Sequence, residues 1–112
     1  MIQLEPSKWI GKELPLKTRV GDTEIEIEQV MQGERKVILI HADCRKCLNL
    51  LDELQEQNAD NVVFIEVPSY SNAPLPSTSF PLFKLDARND WFVTAPCIVE
   101  TSDSICKKVY FP

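Results

Sequence analysis

The stretch that decides the fold is an apolar run followed at once by two closely spaced cysteines: Val37-Ile38-Leu39-Ile40-His41-Ala42-Asp43-Cys44-Arg45-Lys46-Cys47. Its four opening residues are continuously apolar, which is typical of a central strand covered on both faces. The pattern then changes to three- and four-residue steps and predicts an amphipathic helix from Cys44 to about Gln57. Asp43 stands where the N-cap of this helix is expected. The apolar positions of the helix are Cys47, Leu48, Leu51 and Leu54.

A second apolar run, residues 62–67, ends at Pro68 and predicts another buried strand. A strand, a helix and a strand within about 30 residues form a βαβ unit, so the two strands should be parallel with a right-handed crossover. Residues 82–85 suggest a further short element. Residues 98–100 and 105–111 flank a polar stretch, 101–104, and predict a β-hairpin.

The hairpin also bears on two downstream cysteines. If its turn is centred on Ser102 and Asp103, Val99 lies opposite Cys106, and Cys97 is a diagonal neighbour of Cys106. Diagonal neighbours are about 7–8 Å apart, which is too far for a disulfide. We therefore predict no Cys97–Cys106 bridge.

The rest of the chain is less regular. With 112 residues the chain has room for one core, so we expect a single domain over 1–112. Residues 1–22 hold prolines and glycines and indicate an irregular lead-in with one short strand. Residues 23–32 fit both an alternating strand and one helical face, and we favour a short helix towards Gly33. Residues 68–81 contain four prolines and predict a long loop.

Composition excludes several classes of protein. The formal net charge is −5 and the pI is about 4.8, which argues against nucleic-acid binding. No apolar run reaches the roughly 20 residues of a membrane span, and the first residues lack a secretory pattern. We expect a soluble monomer without a cofactor, cytoplasmic by default or an excised domain of an exported or membrane-tethered parent. Four cysteines are too few for a disulfide framework.

The cysteine pair at positions 44 and 47 points to thiol–disulfide chemistry. At the start of a helix, Cys44 meets unsatisfied backbone N–H groups and the positive end of the helix dipole, which stabilise a thiolate. Arg45 and Lys46 act in the same direction, and Asp43 opposes them. Cys47 lies one turn deeper on the apolar stripe, where burial keeps it protonated. Cys44 should therefore attack a substrate disulfide, and Cys47 should resolve the intermediate.

Other readings of the pair remain open. The two cysteines can be small core residues, or half of a zinc site. A zinc site lacks a second Cys-x-x-Cys or a histidine pair, and the remaining soft ligands are His41, Cys97 and Cys106. We predict no metal. Metal delivery through Cys44, Cys47 and Cys97 stays as an alternative.

Residues 37–47 are similar to the central strand and active-site helix of the thioredoxin family. A second segment, Thr94-Ala95-Pro96-Cys97-Ile98-Val99, resembles the family's cis-proline loop and the strand that follows it. The resemblance implies an α/β fold with a central mixed sheet of about four strands flanked by helices, a reduced second helix and no C-terminal helix. It also implies that Pro96 is cis and packs against the sulfurs, with Ala95 and Asp43 at substrate-binding positions.

The chain departs from the family at Asp43, where thioredoxins carry tryptophan, and at Arg45 and Lys46, where they carry glycine and proline. Ile38 stands where thioredoxins bury a catalytic carboxylate. By the resemblance, Cys97 lies near the cysteine pair and is a candidate auxiliary residue, and its plainer interpretation is a small residue packed in the sheet. His41 is another, as a proton shuttle or a hydrogen-bond partner of the thiolate.

The sequence thus predicts a thiol–disulfide oxidoreductase acting on protein or peptide disulfides, in a direction that it does not fix. The alternative is a non-catalytic thioredoxin-like module that binds a partner in the groove beside Pro96, or a thiolate metal-binding domain. Trp91 and Phe92 precede that loop and fit either an apolar lip of the groove or the core.

Overall fold

Nine strands, one α-helix and one short 3-10 helix make up the regular structure of the residues that the computed structural model describes. These are residues 2–14, 18–20, 23–25, 32–68, 78, 80–85 and 91–112, with the backbone alone at 2, 18–20 and 23–25. The α-helix, α1, spans Arg45–Glu56, and the 3-10 helix spans Pro6–Trp9. The strands are β1 (Ile2–Gln3), β2 (Thr18–Val20), β3 (Thr23–Ile25), β4 (Glu34–Ile40), β5 (Val62–Glu66), β6 (Leu82–Lys84), β7 (Trp91–Phe92), β8 (Cys97–Ser102) and β9 (Ile105–Tyr110).

Seven strands form one mixed sheet in the order β3-β2-β6-β5-β4-β8-β9. Strand β5 runs parallel to both β4 and β6, whereas β8 is antiparallel to β4 and β9 is antiparallel to β8. Strands β1 and β7 form a separate parallel pair. The predicted α/β class with a mixed sheet is therefore confirmed. The predicted strands of the βαβ unit and the hairpin form its centre, and β6, β2 and β3 widen it beyond about four strands.

Strand β4 is central because its apolar run serves two cores. Val37 and Leu39 face one side of the sheet, Ile38 and Ile40 face the other, and all four side chains are fully buried. We call the side covered by α1 the helix-side core; its buried members are Ile38, Ile40, Cys47, Leu51, Val62, Phe64 and Ile98. The opposite side is the far-side core, with Trp9, Leu14, Val37, Leu39, Val63, Ile65, Val67, Phe83, Leu85, Cys97, Val99 and Cys106.

Helix α1 crosses from the end of β4 to the start of β5 and buries Cys47 and Leu51 against the sheet. Its C-terminal end is closed by Asn58, which takes the left-handed conformation (φ 50°) that suits a helix terminus. The backbone amide of Ala59 donates to the Leu54 carbonyl across this turn. Among the described residues, no helix has the length and apolarity that crossing a membrane needs.

The far-side core is closed by the N-terminal segment, which buries Trp9 and Leu14 there. This segment also pairs with the outer edge of β9: the Gly11 amide donates to the Cys106 carbonyl and the Cys106 amide donates to the Lys12 carbonyl, both at 2.8 Å. The lead-in predicted with one short strand therefore contains β1, β2 and a 3-10 helix.

Three sequence predictions between the main elements have different outcomes. The short helix predicted in 23–32 is wrong at its start, because Thr23–Ile25 form β3 and pair antiparallel with β2; residues 26–31 lie outside the described part of the chain. The short element predicted around 82–85 is confirmed as β6. Most of the loop predicted over 68–81 also lies outside the described residues.

The predicted hairpin is confirmed, but its register is not. Asp103 and Ser104 occupy the turn, with φ values of 47° and 73°, so Thr101 lies opposite Cys106 and Val99 lies opposite Val109. Left-handed conformations at both central residues are what a tight two-residue hairpin turn requires. Gly33 holds the turn in place, because its amide donates to the Asp103 carboxylate at 2.8 Å and its carbonyl accepts from the Asp103 amide at 2.9 Å.

Replacing Ser104 with glycine should stabilise the protein. A left-handed residue other than glycine costs roughly 1–2 kcal/mol, and glycine loses about 0.5–1 kcal/mol of this gain through backbone entropy. We expect Ser104→Gly to raise the free energy of unfolding by about 0.5–1 kcal/mol in urea titrations. Ser102→Gly, inside β8, is the matched control and should lower it by a similar amount. A destabilised Ser104→Gly protein would contradict the observed turn.

Candidate redox site

Helix α1 begins directly after Cys44, and the sulfur of Cys44 caps it. Cys44 has extended backbone angles (φ −103°, ψ 113°), and its Sγ accepts a hydrogen bond from the backbone amide of Cys47 at 3.2 Å. The prediction that Asp43 is the N-cap is wrong. A turn in which the Cys44 amide donates to the His41 carbonyl, at 3.3 Å, moves the start of the helix one residue further along. The sulfur therefore occupies the place where backbone donors and the helix dipole stabilise negative charge.

Cys47 lies one turn deeper and is fully buried in the helix-side core. The pKa of its thiol is raised from 9.0 to about 12, mainly by burial and also by a hydrogen bond with Cys44 and the charges of Cys44 and Asp43. A backbone hydrogen bond from His41 acts against them by lowering this pKa. The Cys47 thiol is therefore protonated at neutral pH, while Cys44 is partly exposed.

The surroundings of Cys47 are apolar. The buried residues of the helix-side core include Ile38 and Ile40 from β4 and carry no carboxylate. Ile38, at the position where the family resemblance expects a buried acid, is fully buried there. The position where the resemblance expects a buried acid therefore offers Cys47 no proton acceptor.

The loop before β8 meets the start of α1 because β8 pairs with β4. Cys97, the first residue of β8, lies opposite Leu39 near the end of β4, so the residues before one strand adjoin the residues after the other. The Cys44 thiol points to the carbonyl oxygen of Ala95, with Sγ and O 3.8 Å apart. The Ala95–Pro96 peptide bond is cis, and Pro96 is buried. Ala95 also packs against the helix-side core.

Cys97 does not join the pair. Its side chain lies in the far-side core together with Cys106, so the sheet separates it from Cys47 in the helix-side core. Burial raises the pKa of Cys97 to about 11 and also raises that of Cys106. The placement of Cys97 near the cysteine pair, inferred from the resemblance, is therefore wrong, because its strand position directs the side chain to the other face.

The alternative prediction, a metal site formed by Cys44, Cys47 and Cys97, finds no support among the described residues. In the part of the chain that is described, no group of three or more His, Cys, Asp and Glu side chains is arranged to hold an ion. All four cysteines are free thiols. Cys97 and Cys106 are separated by four residues along the β8–β9 ladder, or about 13 Å, which is beyond disulfide reach.

The other predicted site residues surround Cys44 at the surface. His41 is half-buried, whereas Asp43, Arg45 and Lys46 are exposed. The Lys46 ammonium lies 3.5 Å from the Pro112 carbonyl, at the end of the chain that follows β9. The first turn of α1 is therefore cationic on its outer surface.

Sequence reasoning missed one residue that packs against the helix-side core, Tyr110. It does so because β9 places it opposite Ile98. The shifted hairpin register hid this contact. The turn at Asp103 and Ser104 alone would place Tyr110 opposite Cys97, and the irregularity between Glu100 and Thr101 moves it opposite Ile98. Trp91 packs partly buried against the far-side core, and Phe92 keeps 40% of its surface exposed.

A sheet-end cysteine that caps a helix, a buried partner one turn later and an adjoining cis-proline loop define a thioredoxin-like fold with a dithiol at its edge. A search of solved structures supports this class. The chain is similar to a thiol-disulfide isomerase from Corynebacterium glutamicum, with a TM-score of 0.57 over 90% of this chain and 86% of that one. At 16% sequence identity the similarity concerns the fold. No protein-family model and no curated protein sequence matches the chain.

The raised pKa of Cys47 predicts how stability depends on pH. Because the unfolded thiol titrates near 9.0 and the folded one near 12, the folded state binds more protons between these values. The contribution of Cys47 is present below pH 9 and is lost as pH rises towards 12. Urea unfolding of the reduced protein from pH 7.5 to 10.5 should show a falling free energy, with a flatter slope for Cys47→Ala. Identical slopes would contradict the burial of a neutral Cys47 thiol.

Proposed function

We propose that this protein is a thiol–disulfide oxidoreductase that acts on protein or peptide disulfides through Cys44 and Cys47. The observation that carries the proposal is the asymmetry of the two sulfurs. Cys44 is partly exposed at a helix start, and its sulfur accepts a hydrogen bond from the Cys47 amide. Cys47 is buried as a neutral thiol. The thiol-disulfide isomerase that shares this fold supports the same reaction class.

In the first step the Cys44 thiolate attacks one sulfur of a substrate disulfide. The substrate S–S bond breaks, a bond forms between the Cys44 sulfur and the attacked sulfur, and the other substrate sulfur leaves as a thiolate. The Ala95 carbonyl lies beside Cys44 and Pro96 follows it directly, so we assign both residues, with exposed Asp43, to the surface that receives the substrate chain.

In the second step Cys47 attacks the Cys44 sulfur and releases the second substrate thiolate. The pair is then a disulfide, and the substrate has gained two electrons. Cys47 must lose its proton for this step. Once the mixed disulfide forms, Cys44 no longer carries negative charge and no longer accepts from the Cys47 thiol, so two of the causes that raise the pKa of Cys47 disappear. The first step thereby prepares the second.

This coupling gives the buried thiol a function although Ile38 occupies the position of the expected buried acid. While Cys44 is a thiolate, Cys47 is held neutral and cannot compete for an oxidant. After Cys44 is consumed, the substrate thiolate that left in the first step is available to take the Cys47 proton. The reverse sequence transfers the disulfide from the pair to a substrate dithiol, and the redox partners of the protein decide the direction.

Two serine variants test the proposal. Cys44→Ser should lose catalysed exchange with a disulfide peptide, because the nucleophile is gone. Cys47→Ser should form the mixed disulfide and accumulate it, because resolution is blocked, and intact-mass spectrometry detects this adduct. Cys97→Ala, in the far-side core, is the control and should keep the exchange activity. An active Cys44→Ser protein would remove the proposed mechanism, whereas a wild-type protein without exchange activity would favour the non-catalytic binding module.

A further inference from the structure

The charges of α1 run against its dipole. The first turn holds no acidic residue and the last turn holds no basic residue. Arg45 and Lys46 open the helix, and the acidic residues Asp52, Glu53 and Glu56 lie in its second half. A helix favours the opposite order, with anions at its start and cations at its end. A charge order that destabilises the helix, with no contact that compensates for it, is typical of a functional site.

Among the described residues, no Asp or Glu side chain forms an ion pair with Arg45 or Lys46. The ion pair found among them joins Lys8 to Glu5, at a distance from α1 in the chain, and none involves Arg45 or Lys46. The contact of Lys46 with the Pro112 oxygen is long, at 3.5 Å. On the other flank of Cys44, exposed Asp43 supplies one negative charge against two positive ones and the helix start.

From this arrangement we infer that the dithiol selects disulfides whose cysteines are flanked by acidic residues. The inference rests on the proposed function. A mixed disulfide joins the substrate sulfur to Cys44 at about 2 Å, so the neighbouring substrate residues come within one Debye length, about 8–10 Å, of Arg45 and Lys46. Carboxylates there are attracted during encounter, and ammonium groups are repelled.

The net charge of the chain makes the inference specific to these positions. At −5 the whole protein repels an acidic peptide at long range, so a preference for acidic flanks has to arise locally. Lys36 provides a matched control. It is exposed at the opposite end of β4, four residues or about 13 Å along the strand from Ile40.

The experiment uses three disulfide peptides that differ only in the residues flanking each cysteine, which are glutamate, glutamine or lysine. We expect kcat/KM for the glutamate peptide to exceed that for the lysine peptide by about tenfold at low salt, and the ratio to approach one at high salt. The double variant Arg45→Gln/Lys46→Gln should lose the preference. Lys36→Gln, which loses one of the same charges, should keep it.

Using the ratio separates specificity from reactivity, because a change in Cys44 nucleophilicity affects the three peptides alike. Equal rates for the three peptides overturn the inference and leave the proposed function standing. A preference that survives in the double variant, or disappears in Lys36→Gln, also overturns it. Failure of the wild-type protein to turn over any peptide ends the proposed function itself.

Discussion

One hydrogen bond organises the candidate site: the Cys47 amide donates to the Cys44 sulfur at the first turn of α1. It satisfies a backbone donor that a helix start otherwise leaves unpaired, and it fixes the outer sulfur at the N-terminus of the helix. The same turn carries Cys47 into the apolar interior. One local geometry thereby gives two cysteines of the same chemistry opposite properties, an accessible sulfur and a buried neutral thiol.

The rest of the fold holds this turn in place. Strand β4 delivers Cys44 to the end of the sheet, and its antiparallel partner β8 brings Ala95 and Pro96 to the same end. Because β4 alternates its side chains between two cores, α1 can cover one side while the N-terminal segment closes the other. Cys97 illustrates the consequence: it is close in the chain to the cis-proline, yet it faces the opposite core.

The sequence predicted those elements in which residue propensity, apolar pattern and burial all favour the same structure. The run Val37–Ile40 and the stripe through Cys47 and Leu51 specify a buried strand and an amphipathic helix, and both are present. The exact residue at which the helix begins and the register of the hairpin were predicted incorrectly. The cap moved from Asp43 to Cys44, because a turn at His41 decides where the helix begins. The hairpin register shifted, because contact with Gly33, 70 residues before Asp103, selects the turn. Neither constraint is local in the sequence.

Thiol mapping of the native, reduced protein is the decisive test of the difference in exposure between Cys44 and Cys47. The protein is treated with limiting iodoacetamide at neutral pH, and the labelled cysteines are identified by peptide mass spectrometry. The account predicts label on Cys44 first, with Cys47, Cys97 and Cys106 unlabelled until the protein is unfolded. Labelling of Cys47 at the rate of Cys44, or no label on either before unfolding, would contradict the asymmetry of the two sulfurs.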